Sequence, residues 1–150
     1  MNKNDLLLII DMQNIYTRGQ EWACLDTEGA ACRINKIIAS NKCQNTIFTC
    51  FLPPENPEGI WKDYNIKYAH INANDWGNEM LPQFKDSLTK FPLYSKSVYS
   101  SLVIPEVLEA AKQADRVITP LLGIKSARRQ NKIPSKLIGR TYHKRRVKNL

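Results

Sequence analysis

The chain has no cysteine after Cys50 and no acidic residue after Asp115. The first absence takes thiol chemistry out of everything beyond Cys50. The second splits the charge: residues 120–150 hold 10 Lys+Arg and no acid, whereas residues 1–119 hold 12 Lys+Arg and 14 Asp+Glu, or 12 − 14 = −2. The net charge of +8 therefore belongs to the last fifth of the chain, not to the whole. Metal ligands are scarce. The four cysteines (Cys24, Cys32, Cys43, Cys50) form no CxxC pair, and His70 and His143 lie far from them and from each other. Zinc binding has no support in that pattern, and no metal or other cofactor is expected. Reduced, partly buried thiols are the reading for a cytosolic setting. No apolar run approaches the roughly 20 residues of a membrane span. The N-terminus shows no signal-peptide cleavage pattern after its short apolar run. A cytoplasmic protein without a membrane partner is expected.

What is present reads as one globular domain: 150 residues, 43% apolar and 24% charged. Its organising stretch is Leu6-Leu7-Leu8-Ile9-Ile10-Asp11-Met12-Gln13-Asn14. Five aliphatic residues without alternation predict a strand buried on both faces, as in the middle of a parallel sheet. Asp11 ends the run. In open α/β sheets ligands bind beyond the carboxyl ends of the strands, so Asp11 stands either where chemistry is placed or where the chain simply turns.

Further along, Asp26 or Thr27 predicts the start of a helix carrying Ala31, Ile34, Ile37 and Ile38 on one face. Thr46–Phe51 reads as a second strand, rich in β-branched and aromatic residues. Pro53, Pro54 and Pro57 open a long connection, roughly 52–78, with Trp61, Tyr64, Tyr68, His70 and Trp76. A connection of that length at a strand's carboxyl end is usually functional. A short helix is predicted over 79–88, with Met80, Leu81 and Phe84 inward and Pro82 in its first turn. Another is predicted over 106–113 behind Pro105, and a strand begins at Asp115. Strand–helix–strand alternation argues a three-layer, mainly parallel α/β sheet of Rossmann-like topology. Residues 120–150 carry no helical or strand period.

The segment LLLIIDMQN resembles the first strand of the isochorismatase-like cysteine hydrolases, whose catalytic Asp closes a hydrophobic run. Lys96, within Tyr94-Ser95-Lys96-Ser97-Val98-Tyr99-Ser100-Ser101, is similar to the family's lysine segment. Ala114-Asp115-Arg116-Val117-Ile118-Thr119 is similar to the lead-in of its nucleophile strand. The resemblance covers residues 6 to about 119. It implies a triad in which a Cys thiolate attacks a carbonyl carbon of an amide or related substrate and the Asp shuttles the proton. The Lys lowers the thiol pKa, and backbone N–H groups stabilise the oxyanion. Asp11 and Lys96 then take the catalytic positions, and Gln13, Trp61 and Tyr99 become candidates to contact substrate. Trp61 has two open uses, covering a flat substrate or packing on the core.

The third station departs from the pattern. Depending on where the turn is set, Ser126 or Arg129 falls at the nucleophile position, and neither is a cysteine. Cys24, in the loop after Asp11, and Cys50, in the second strand, are poor substitutes. The loop Phe51–Pro57 lacks the histidines that nicotinamidases of this family place around a metal. The expectation is a partial hydrolase domain over 1–119, incomplete at the C-terminus, with 120–150 as a truncated or frame-shifted basic tail. Such a chain is catalytically incompetent, a pseudoenzyme by descent. The alternative is nucleic-acid or acidic-partner binding through residues 120–150. Self-association is plausible for a family that often assembles. Loss of the later units predicts poorly covered apolar surface on Leu6–Ile10 and Val117–Ile118.

Overall fold

The computed structural model describes residues 1–120; Ser126, Arg129 and the ten basic residues of the 120–150 segment lie outside the described residues. The elements are β1 (Leu6–Ile10), α1 (Thr27–Ala39), β2 (Asn45–Phe51), three short helices α2 (Ile60–Lys67), α3 (Ala69–Asn72) and α4 (Asp75–Asn78), then α5 (Lys85–Leu88), β3 (Leu93–Lys96), α6 (Pro105–Gln113) and β4 (Val117–Ile118). The four strands form one sheet in the order β3-β2-β1-β4, and every pair is parallel. Leu8 pairs with Ile47, Leu6 with Val117, and Phe51 with Lys96.

The aliphatic run supplies both layers of the core. Side chains of successive strand residues point to opposite faces. Leu7 and Ile9 pack with Ala30, Ala31 and Ile34 of α1 and with Phe48, Leu81 and Phe84. Leu6 and Leu8 pack with Ile47, Ile104 and Val107 on the face covered by α6. Leu6 to Ile9 are at most 3% exposed, and only Ile10, Val117 and Ile118 are half-buried. The apolar surface expected to lie bare on β1 is therefore covered, because α1 and α6 already flank its two faces.

Two local predictions need correction. The helix expected over 79–88 is a 3-10 turn, Pro82–Phe84, followed by α5. Pro82 occupies the first position of that turn, where its missing N–H costs nothing. The 52–78 connection holds α2, α3 and α4 rather than one continuous loop. The apolar period of α2 is weak because α2 buries no residue at all. Gly59 heads that helix with φ 53, a left-handed conformation that favours glycine.

A buried ion pair closes the amino end of the sheet. Asp5 is fully buried and accepts from Arg116 Nη2 (2.7 Å), Arg116 Nε (3.0 Å) and the Asn2 N–H (2.7 Å). The guanidinium hydrogen bonds hold the Asp5 carboxyl below its ordinary value of 3.8. A depressed folded-state pKa contributes stability above the unfolded value that is lost as pH falls through the folded one. The Tm advantage of the natural protein over Asp5→Asn is thus expected to be full near neutrality and to close below about pH 4. Thermal melts of the two proteins between pH 3 and 7 measure it. A gap that does not change with pH would show that the Asp5 charge contributes nothing.

Candidate active site

Asp11 follows β1 in a left-handed conformation, φ 54, and its N–H donates to the Thr49 carbonyl at 2.9 Å. Aspartate is among the few non-glycine residues that tolerate this geometry, which turns the chain off the sheet at the strand's carboxyl end. Lys96 ends β3, two strands away. Its side chain, 1% exposed, crosses the end of β2 with Nζ 5.6 Å from the centre of the Phe51 ring. There Nζ donates to Asp11 Oδ2 at 2.9 Å and to the Val98 carbonyl at 3.3 Å.

The other carboxylate oxygen, Asp11 Oδ1, is buried with no hydrogen-bond partner among the described groups. Burial pushes the Asp11 carboxyl above its ordinary 3.8, and the Lys96 charge opposes that shift without cancelling it. Asp11 and Lys96 border a cavity of about 60 Å3 whose other walls are aromatic: Tyr16, Phe51, Trp61, Tyr64 and Tyr99. Trp61 stacks on Phe51 (5.9 Å between ring centres), meets Tyr64 edge-on (5.2 Å), and touches Tyr99 (5.1 Å). Of the two uses weighed for Trp61, packing is what the geometry gives, against Phe51 and Tyr64, in a position that also lines the cavity. Tyr99 stands at the mouth, 73% exposed. Burial raises the Tyr16 and Tyr64 phenols far above their usual range, so both stay neutral donors. The Tyr16 carbonyl accepts from Thr27 Oγ1 at 2.6 Å, tying this wall to the start of α1.

Gln13 does not belong to the site. It is 1% exposed; Nε2 donates to the carbonyls of Phe51 (2.9 Å) and Asn78 (2.7 Å), and Oε1 accepts from the Phe51 N–H (2.9 Å). Both N–H donors are spent on backbone carbonyls, and the side chain is buried and absent from the cavity lining, so it presents no donor to a substrate. Its task is to hold the end of β2 beside the end of β1.

Neither candidate thiol lines the cavity. Cys50 precedes Phe51 in β2 and so points to the opposite face, where it borders a separate groove of about 490 Å3 with Leu52, Trp76, Met80 and Leu93. Burial raises its thiol pKa, which keeps it protonated and inert. That larger groove contains neither Asp11 nor Lys96, which both line the smaller cavity. Cys24 Sγ lies 3.9 Å from the Trp22 carbonyl in the β1–α1 connection. His70 pairs with Glu21 at 2.8 Å on the surface. Among the described residues no group of three or more His, Cys, Asp or Glu is placed to hold a metal. No helix there is long and apolar enough to cross a membrane.

Sequence reasoning missed Tyr16, Phe51 and Tyr64. A signal existed for part of this: Trp61, Tyr64 and Tyr68 recur at helical spacing in a segment with no apolar stripe, which marks an aromatic face turned to something other than the core.

No protein-family model and no curated protein matches the chain. Solved structures do. An isochorismatase-like hydrolase from Alkaliphilus metalliredigens aligns at TM-score 0.53 and 14% identity, over 77% of this chain and 64% of that one. A cysteine hydrolase from Pseudomonas syringae pv. phaseolicola aligns at TM-score 0.63 and 15% identity, over 79% and 60%. A nicotinamidase/pyrazinamidase from Acinetobacter baumanii aligns at TM-score 0.53 and 15% identity, over 79% and 70%. The chain thus spans less than two thirds of the length of the first two. Four parallel strands in the order β3-β2-β1-β4, with helices on both faces, give this chain the α/β fold of the isochorismatase-like hydrolases.

Proposed function

We propose that this chain is an isochorismatase-like hydrolase that has kept the base and the cation of the triad without its sulfur. It binds a small planar carbonyl compound and forms no thioester. The observation that carries this reading is the Asp11–Lys96 pair at 2.9 Å, buried under aromatic walls beside an uncommitted carboxylate oxygen. A lysine ammonium has three N–H donors, and Asp11 Oδ2 and the Val98 carbonyl use two. The third donor and Asp11 Oδ1 complement a carboxamide, which presents C=O and N–H on one edge. The cavity of about 60 Å3 takes that carboxamide end, and the flat body stays outside against the exposed Tyr99 ring. Among the described residues the site has no nucleophile: Cys50 faces away and Cys24 is outside the cavity, while Ser126, which lies outside the described residues, is an alcohol and a weaker nucleophile than a thiol.

Intrinsic fluorescence of the full chain titrated with nicotinamide or benzamide tests the binding, since Trp61 walls the cavity. Saturable quenching that Trp61→Phe abolishes is expected. Intact-mass analysis after incubation with carboxamides and esters should show no acyl adduct on Cys24 or Ser126. An adduct at either position would replace this reading with a working covalent hydrolase.

The charge of residues 120–150 supports a second reading, phosphate binding by that segment, because residues 1–119 are slightly acidic and contribute nothing to it. Retention on an anionic resin that disappears on deleting 120–150, together with preference for one nucleic-acid sequence over another, is its signature. Equal retention of all sequences would reduce it to nonspecific attraction.

A further inference from the structure

Removing the sulfur leaves a base and a cation facing one cavity, and those two groups have chemistry of their own. We infer that Asp11 and Lys96 activate water directly, so that the site hydrolyses activated esters by general base catalysis without an acyl-enzyme. This rests on the reading that no thiol or serine serves as nucleophile.

Three observations carry it. Asp11 Oδ1 is buried and unpartnered, while Oδ2 is held by Lys96, so one carboxylate oxygen is fixed and the other is available. A buried carboxylate oxygen without a donor is costly, and the O–H of a water relieves that cost. Next, the cavity of about 60 Å3 exceeds the ~10–15 Å3 that a single water requires in this measure, yet is far below the ~300 Å3 at which ordinary ligand pockets begin. It has room for a water and the carbonyl tip of a substrate whose remainder stays outside, beyond Tyr99. Finally, the walls at Tyr16, Phe51, Trp61 and Tyr64 limit the contact of the pair with solvent, leaving Lys96 1% and Asp11 22% exposed, which strengthens both the base and the cation. The upward shift of the Asp11 carboxyl works in the same direction, towards a better proton acceptor.

The reaction balances without any further component. The water oxygen forms a bond to the ester carbonyl carbon as its proton passes to Asp11 Oδ1. The oxyanion accepts a hydrogen bond from Lys96 Nζ. The tetrahedral adduct collapses, the carbon–oxygen bond to the leaving group breaks, and the alkoxide or phenolate takes the proton back from Asp11. Acid and alcohol leave, and the site is restored. Positioned general base catalysis contributes about 10²–10⁴-fold, enough for an activated ester and too little for an amide.

The test is hydrolysis of 4-nitrophenyl acetate by the full chain, with product acetate analysed after reaction in 18O-labelled water. The expected result is a linear progress curve with no burst, one labelled oxygen per acetate, and no adduct on Cys24 or Ser126. The rate above buffer falls by about 10²-fold or more in Asp11→Asn, whose amide oxygen still accepts from Lys96, and is unchanged in Cys24→Ser. For the natural protein, which needs no folding control, the rate rises with pH on a limb centred above 3.8, with no second limb from a thiol. A rate equal to that of buffer, or an undiminished rate in folded Asp11→Asn, overturns the water route and leaves carboxamide binding standing. A burst with an adduct on Cys24 or Ser126 overturns the proposed function as well.

Discussion

Asp11→Ala is expected to destabilise the protein by about 3–5 kcal/mol, the usual cost of stranding one member of a buried ion pair. Lys96 is the member left behind. Its side chain is 1% exposed, and without the carboxylate only the neutral Val98 carbonyl remains as acceptor. Alanine at φ 54 adds a left-handed strain of about 1–2 kcal/mol that aspartate tolerates better. For a chain of this size the sum corresponds to a Tm lower by roughly 10 °C or more. Asp11→Asn keeps the hydrogen bond from Lys96 and the tolerance for the backbone but still leaves the buried ammonium without a counter-charge, so a loss smaller than that of alanine is expected. Asp11→Ala combined with Lys96→Met should recover part of the loss, because no buried charge is then unpaired. Chemical denaturation of the three variants measures these differences. Equal losses in Asp11→Ala and Asp11→Asn would mean that the carboxylate charge, and not the hydrogen bond or the backbone tolerance that asparagine keeps, holds Lys96 inside. The pair is a poor device for stability in itself: burial raises the Asp11 carboxyl more than Lys96 lowers it. Its physical use lies in the charges it presents to the cavity.

Gln13→Ala is expected to cost about 2–4 kcal/mol, because it strips partners from three buried backbone groups at once. The Phe51 N–H loses its acceptor, and the Phe51 and Asn78 carbonyls lose their donors. An unsatisfied buried donor alone accounts for about 1–3 kcal/mol. Phe51 also forms a wall of the cavity and a face for the Lys96 ammonium, so carboxamide affinity should fall together with stability. Gln13→Glu separates the roles: it keeps an acceptor for the Phe51 N–H but turns a carboxylate towards two carbonyls. A loss comparable to that of alanine is expected. If either variant unfolds at the same denaturant concentration as the natural protein, the Gln13 amide is not the clamp that joins the ends of β1 and β2.

The parts of the site that were legible differ in kind from those that were not. Asp11 could be placed at the strand's carboxyl end because an unbroken aliphatic run reads as a strand buried on both faces, but only the resemblance of LLLIIDMQN to a known segment favoured a catalytic use over a simple turn. Lys96 has no such signature, and only its resemblance to a known segment singled it out. Its burial depends on the Phe51–Lys96 register and on the position of β3 at the sheet edge, neither of which is a local property. Gln13 was named as a substrate contact because a polar side chain beside a candidate carboxylate has the same sequence appearance whether it faces ligand or backbone. Tyr16, Phe51 and Tyr64 come from three separated segments, and their convergence depends on how the 52–78 connection folds back over the strand ends.

Local chemistry alone decided the layered α/β class, the strand that centres it, the carboxylate at that strand's tip and the lack of a downstream thiol, since each depends on residue type and period over a few positions. Long-range packing decided the rest: that a lysine two strands away reaches this carboxylate, that aromatic rings roof the pair, and that Gln13 supports the frame. Such contacts are set by sheet order and chain reversal, which bring Asp11 and Lys96, 85 positions apart, together.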